Sequence, residues 1–170
     1  MTQKTLVFDA TPLIYLAKVN RLHLIENIGL ERIIPESVYE EVVIKGKELG
    51  KPDASIVEKL VEKGIFKIEK ASTKLQELEK NKNLSKADVD VLSLAKLKKG
   101  IAILDDEYAR KVAEIENIEN KGTLYIIFFL LKNNVITKTE ARETIDAIIE
   151  KGWYCSTDLY AKILRRIERL

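Results

Sequence analysis

The chain of 170 residues is 46% hydrophobic, which is enough apolar sequence for one domain with a sizeable core. Its 29 basic and 27 acidic residues leave a formal net charge of +2, so overall charge gives little attraction for nucleic acid. A single histidine and a single cysteine exclude a Cys/His zinc site, acid–base catalysis by two histidines and a disulfide within the chain.

The predicted secondary structure begins with a buried strand at the apolar run Thr5–Phe8. Thr11 and Pro12 supply a cap and a first-turn proline, and they predict a helix that ends near Lys18. The further elements predicted up to residue 70 are a helix over about Leu22–Ile28, a strand at Arg32–Ile34, helices over Glu36–Lys45 and Ala54–Lys63, and a strand at Phe66–Ile68.

The second half of the chain is predicted to be mostly helical. Lys70–Asn83 is rich in Lys and Glu without a strong apolar face, which predicts a mobile helix or a loop, whereas Ser85–Leu97 has a clear amphipathic pattern. The later predicted elements are a strand at Ile101–Leu104, a helix over Glu107–Glu114, a short strand near Ile118, and helices over Gly122–Asn133, Thr137–Lys151 and from Ser156 or Thr157 onward. Strands that alternate with helices are typical of an α/β domain with a mostly parallel sheet, here followed by a helical C-terminal third.

Membrane insertion is not expected from the apolar segments. The run Tyr125–Leu131 is far shorter than the ~20 residues that span a bilayer. Because the N-terminus also lacks the apolar region of a signal peptide, we expect a soluble cytoplasmic protein.

Carboxylates fall at the positions where a parallel sheet binds ligands, which are the carboxyl ends of its strands and the adjacent helix starts. These residues are Asp9, Glu40, Glu41, Asp88, Asp105 and Asp106. Several carboxylates without His or Cys suit the hard cations Mg²⁺ and Mn²⁺, which prefer oxygen ligands.

Each of these acids also has a purely structural interpretation. Asp88 could only complete a capping box with Ser85, although a helical wheel places Asp88 on the apolar face and Asp90 well away from it. Asp105 or Asp106 could only cap the next helix. Asp9 could simply end a strand, and periodicity does not decide which of Glu40 and Glu41 faces the site.

Four segments in order resemble the acidic motifs of PIN-domain nucleases. They are Val7–Ile14, Ile34–Val42, Leu84–Ala95 and Ile103–Arg110, and the resemblance runs from about Thr5 to Asn133. It implies a PIN-like α/β/α sandwich with a central, mostly parallel sheet and a helical C-terminal extension. The expected organisation is a PIN-like nuclease domain over residues 1–135, with an extension over residues 136–170 packed on the same domain.

The resemblance implies catalytic and metal-binding roles for Asp9, Glu41, Asp88 and Asp106. Glu41 is preferred to Glu40 because the family spaces its proline, valine and glutamate as Pro35, Val38 and Glu41 do here. Three further residues would support the site: Thr11, Asp90, which matches a second acid of some branches, and Asp105, at the variable position before the fourth acid.

The activity implied by the resemblance is hydrolysis of RNA phosphodiester bonds by a Mg²⁺- or Mn²⁺-dependent endoribonuclease. Arg110, just after the fourth acid, is the best candidate for an RNA contact. The C-terminal part resembles an archaeal and bacterial branch close to the toxins of VapBC-type toxin–antitoxin pairs, which implies a homodimer and an antitoxin partner. The alternatives are an RNA-processing PIN nuclease that is not a toxin and a catalytically silent protein-binding module. A haloacid-dehalogenase-like phosphatase is rejected because Thr11 stands where that chemistry needs a second Asp.

Overall fold

A computed structural model describes residues 4–170, which form a five-stranded sheet flanked by helices. The strands are β1 (Thr5–Phe8), β2 (Glu31–Pro35), β3 (Lys67–Glu69), β4 (Ile101–Ile103) and β5 (Glu119–Lys121). Their order in the sheet is β3-β2-β1-β4-β5, and every neighbouring pair is parallel. The predicted α/β fold with a parallel sheet is therefore confirmed.

Helices make up most of the rest of the described chain. They are α1 (Ala10–Lys18), α2 (Glu36–Tyr39), α3 (Lys45–Glu48), α4 (Pro52–Glu62), α5 (Gln76–Glu79), α6 (Lys86–Leu97), α7 (Glu107–Ile115), α8 (Thr123–Lys132), α9 (Lys138–Glu150) and α10 (Thr157–Arg169). A 3₁₀ turn spans Leu22–Asn27, and a π-helical segment, Glu40–Ile44, joins α2 to α3. Within residues 4–170, no helix is both long and apolar enough to cross a membrane.

The central strand β1 is covered on both faces, as expected for a parallel sheet. Leu6, Val7 and Phe8 are completely buried, and the Phe66 ring packs edge-on against Phe8 with 5.3 Å between ring centroids. β2 pairs with one edge of β1, and β4, which comes later in the chain, pairs with its other edge. The carboxyl ends of β1 and β4 therefore flank a topological switch point, where α/β proteins bind ligands.

The C-terminal helices lie against the helices that cover the sheet. α9 packs on both α1 and α8, and α10 packs on α9. A side-chain hydrogen bond of 3.0 Å from Arg21 Nε to Thr144 Oγ1 also connects α9 to the chain just after α1. The division near residue 135 stays a prediction.

The segment Lys70–Asn83 is more ordered than its composition suggests. It contains the one-turn helix α5, whose Leu78 is buried in the core against α6. Leu78 and the buried Ala71 anchor a Lys- and Glu-rich stretch that has too few apolar residues for a periodic pattern to show.

Candidate functional site

Asp9 is the most deeply buried of the four acids for which the resemblance implies catalysis. It follows β1 and precedes α1, it is only 9% exposed, and its backbone N–H donates to the carbonyl of Ile103 at 2.9 Å. The pKa of Asp9 is raised from 3.8 to about 7, mainly by burial, although a hydrogen bond from the Ala10 backbone opposes the shift. The charges of three other carboxylates are smaller causes of the same rise: they belong to Asp88, Glu41 and Asp105. Acids from three other segments therefore lie close enough to Asp9 to affect its ionisation.

Asp105 is held by donors from two distant parts of the chain. Its Oδ1 accepts from the backbone N–H of Thr123 at 2.8 Å, and its Oδ2 accepts from Thr123 Oγ1 at 2.6 Å. Trp153 Nε1 donates to the same Oδ2 at 3.2 Å. Three donors fix the direction of this carboxylate.

Gly122 allows the chain to approach Asp105 closely. A Cβ at position 122 would lie 2.5 Å from Asp105 Oδ1 and 3.6 Å from Arg110 Nη1. Only glycine therefore leaves room for the Asp105 carboxylate at the start of α8.

Asp106 has a different environment from its neighbour. Its side chain is exposed, and its Oδ1 accepts from the backbone N–H of Ala109 at 2.8 Å, which makes it the N-cap of α7. The assignment of Asp106 as the fourth acid stays a prediction, and the structure places Asp105 in the field of Asp9.

Asp88 and Asp90 are placed in the opposite way from the helical-wheel prediction. Asp88 is half-buried and forms the capping box with Ser85, whereas Asp90 is only 4% exposed. The Asp90 Oδ2 accepts from Ser37 Oγ at 2.5 Å, and its Oδ1 lies 3.4 Å from Lys74 Nζ without a hydrogen bond. The wheel prediction is wrong because α6 contacts three neighbours, namely the sheet, α2 and α5. The helix therefore has no single apolar face. Asp88 still reaches the field of Asp9 from the first turn of α6.

Glu40 and Glu41 begin the π-helical segment, and both side chains are exposed. The charge of Glu41 acts on the pKa of Asp9. This segment packs against α1, which starts at Asp9. A π-helical turn changes the angle between successive side chains and is frequent at functional sites.

Thr11 and Arg110 line one cavity beside these acids. Thr11 lies in the first turn of α1, and Arg110 lies in α7 with its Nε donating to Asn120 Oδ1 at 3.0 Å. Both predicted residues therefore lie at the edge of the acid cluster.

The donor set of the cluster fits a hard divalent cation. All its candidate ligands are carboxylate oxygens, and a cation would compensate the cost of ionising Asp9 in its buried position. Across residues 4–170, no three Asp, Glu, His or Cys side chains are close enough to share a metal ion as they stand. Binding would require these side chains to move closer together.

Two contacts of the site were not predicted from the sequence. The sequence pattern marks Gly122 and Thr123 only as the start of a helix and gives no signal for Trp153. The Gly-Thr pair carries a local signal, since a glycine at the N-cap of a helix permits close approach of another part of the chain. Trp153 is 48 residues from Asp105, and only the packing of the C-terminal helices brings them together.

Comparison with known proteins gives one family match. Among solved structures, one titled "A domain of a functionally unknown protein", from Methanocaldococcus jannaschii DSM 2661, is 20% identical over 70% of this chain and 90% of that chain, with a TM-score of 0.48. None of the curated proteins matches the chain. A family model with the description "DUF3368: PIN domain" matches residues 5–169.

Proposed function

Because the chain belongs to the PIN-domain family, whose fold is that of a nuclease, we propose that it hydrolyses RNA phosphodiester bonds with Mg²⁺ or Mn²⁺. The observation that carries the proposal is the buried carboxyl of Asp9 at the switch point of the sheet, in the field of three other carboxylates. Such a cluster repels a phosphate unless a cation is also present. The proposal therefore requires a divalent ion.

The proposed ligands are Asp9, Glu41, Asp88 and Asp105. The family spacing favours Asp106 as the fourth acid, whereas the hydrogen bonds to Thr123 and Trp153 favour Asp105. When bound, the cation would stabilise the charge that develops on the phosphate and the leaving oxygen and would make a nearby water easier to deprotonate.

The protein residues would bind and orient the reactants. Asp9 would lose its proton as it meets the cation, because its raised pKa leaves it partly protonated near neutral pH. Asp105 is held in one orientation by its donors and would keep its ligand oxygen in place. Arg110 would contact a phosphate of the RNA strand beside the acids. Hydrolysis of this kind leaves 3′-hydroxyl and 5′-phosphate ends and needs no histidine.

We propose that the cellular role is that of a toxin in a toxin–antitoxin pair, in the cytoplasm and as a homodimer. This role rests on the resemblance of the C-terminal part to VapBC-type toxins. An RNA-processing nuclease that is not a toxin would use the same site. A neighbouring gene for a small antitoxin would favour the toxin role.

A catalytically silent protein-binding module is the second candidate. The observation in its favour is that, within the described residues 4–170, the acids do not form a ready metal cluster. Failure of Mn²⁺ to bind in calorimetry, together with no RNA cleavage, would support this alternative.

The deciding experiment measures cleavage of a 5′-labelled RNA in EDTA, Mg²⁺ and Mn²⁺. We expect cleavage only with a divalent ion, and we expect Asp9→Asn and Asp88→Asn to abolish it. Asp158→Asn is the matched control, because Asp158 is an exposed acid in the first turn of α10. Cleavage in EDTA, or wild-type cleavage by Asp9→Asn, would contradict the proposal.

A further inference from the structure

A large open cavity lies directly beside the acid cluster. Its volume is about 960 Å³, at the upper end of the range for ligand sites, and Asp105 and Asp106 form part of its wall. The other walls come from α1, α7, the start of α8 and the segment between α9 and α10. A ligand in this cavity would therefore contact the C-terminal part of the chain and the acids together.

Aromatic side chains line the cavity on two sides. Trp153 and Tyr154 come from the segment before α10, and Tyr15 and Tyr125 come from α1 and α8. Tyr154 is 85% exposed, more than any other large hydrophobic side chain in residues 4–170. Trp153 donates a hydrogen bond to Asp105, and its chain neighbour Tyr154 lines the same cavity as Asp105. An exposed ring at the mouth of a polar cavity is a suitable surface for stacking a base.

Three cations of the cavity are available for phosphates. Among residues 4–170, Arg110, Lys121 and Arg166 are in no ion pair, whereas Lys111 is paired with Glu107 at 3.1 Å. The Arg166 guanidinium lies over the Phe128 ring, 4.3 Å from its centroid, which holds the charge at the edge of the cavity. Arg110 Nη1 would lie 3.6 Å from a Cβ at position 122, next to Asp105.

The wall of the cavity carries acids as well as cations. Asp105 and Asp106 belong to the site described above and Glu107 is paired with Lys111, which leaves Glu114 as the remaining acid of the wall. The three cations and the aromatic rings line the same cavity as these acids. This is the pairing of phosphate contacts with stacking surfaces that single-stranded nucleic acids need.

We propose that this cavity binds a single strand of nucleic acid, with a base stacked on Tyr154 and phosphates bound by Arg110, Lys121 and Arg166. The inference rests on the proposed nuclease function and adds the path of the substrate beyond the acids. It also assigns a substrate-binding role to the C-terminal segment. A duplex would not use the tyrosine in this way, because its bases are already stacked.

The test is fluorescence anisotropy with a 5′-fluorescein-labelled oligouridine of 12 nucleotides, in EDTA so that binding is measured without cleavage. We expect Tyr154→Ala to weaken binding about five-fold or more, and Tyr154→Phe to bind like the wild type, because stacking needs the ring alone. Arg166→Ala should weaken binding about three-fold or more. Arg165→Ala is the matched control, since Arg165 is the adjacent exposed arginine of α10 but does not line the cavity.

Other probes identify the occupant. If an oligothymidine of equal length binds with the same dependence on Tyr154, the groove binds single strands in general. If the oligouridine binds more tightly than the oligothymidine, the groove is selective for RNA. If Tyr154→Ala binds the oligouridine like the wild type, the cavity has another occupant, such as a segment of a protein partner, and the proposal is overturned. The proposal is also overturned if Tyr154→Ala weakens binding of duplex RNA as much as binding of the oligouridine. It is overturned as well if Arg165→Ala weakens binding as much as Arg166→Ala does.

The two proposals fail in different ways. Cleavage of RNA with normal binding by Tyr154→Ala would leave the nuclease function standing and remove the groove. Binding that depends on Tyr154 without cleavage in Mg²⁺ or Mn²⁺ would support the groove and remove the nuclease function. No binding of either oligonucleotide by the wild type would overturn the groove.

Discussion

The hydrogen bond of 2.9 Å from the Asp9 amide to the Ile103 carbonyl joins the ends of the two central strands. It fixes the backbone of Asp9 beside the turn that carries Asp105 and Asp106. The carboxyl of Asp9 is therefore buried near other acids as a direct result of strand order. Its position has consequences for stability that are independent of any substrate.

Asp9→Asn should stabilise the metal-free protein above neutral pH. The pKa of Asp9 is about 7 in the folded protein and 3.8 in its ordinary state, so the folded state holds a proton that the unfolded state releases between these values. Stability should fall as pH rises through that window, by at most roughly 1.4 kcal/mol per pH unit. Urea denaturation in EDTA at pH 4, 6 and 8 measures the difference between wild type and variant.

We expect this difference to be small at pH 4 and largest at pH 8. Asp158→Asn is the control for the removal of an exposed acid and should follow the wild type. Added Mn²⁺ should stabilise the wild type more than Asp9→Asn, because it binds the folded site. Parallel stability profiles for wild type and Asp9→Asn would show that Asp9 is not the buried titrating group.

Asp105→Asn and Asp106→Asn form a matched pair that identifies the fourth acid. We expect Asp105→Asn to lower the rate of RNA cleavage about 100-fold or more, because it removes a proposed carboxylate ligand of the divalent ion. Asp106→Asn should stay within about ten-fold, since asparagine also caps a helix well. Single-turnover cleavage in Mn²⁺ measures both, and the reverse order of effects would assign the role to Asp106.

Thr123→Val should weaken metal binding through Asp105. The substitution keeps the shape of a fully buried side chain but removes the hydroxyl that donates to Asp105 Oδ2 at 2.6 Å. We expect about a ten-fold loss of Mn²⁺ affinity in calorimetry, the usual effect of removing a hydrogen bond that orients a ligand. Thr123→Ser keeps the hydroxyl and should retain most of the affinity, so equal losses in both variants would show that only packing matters.

Lys74→Met should destabilise the protein by leaving Asp90 buried without its cation. The two side chains lie 3.4 Å apart, and the lysine is partly exposed, so the expected loss is about 2 kcal/mol in urea denaturation. The double variant Lys74→Met/Asp90→Asn should recover most of that loss, because it removes the unpaired charge while Ser37 can still donate to the amide oxygen. Additive losses would mean that the two residues do not interact.

Most of the fold could be predicted from local patterns. The apolar run Thr5–Phe8 predicts β1 correctly, and the capping boxes at Ser85 and Thr137 mark the starts of α6 and α9. Ser156 is the cap of α10, one of the two residues proposed. Caps and apolar periods depend on neighbours within a few residues, so one sequence is enough to find them.

The site could be predicted only in part. The sequence identifies the acids, but burial of Asp90 depends on Ser37 and Lys74 from other segments. The π-helical segment at Glu41 leaves no trace in an α-helical pattern. Contacts made across the fold are set by packing, and periodicity does not contain that information.

Because Trp153 donates a hydrogen bond to Asp105, the donors to this carboxylate are synthesised at different times. A ribosome makes the acids and the Thr123 donors first, and the tryptophan follows only when the last helices are being translated. The Asp105 carboxylate therefore acquires its full set of donors only after the acids themselves have been made.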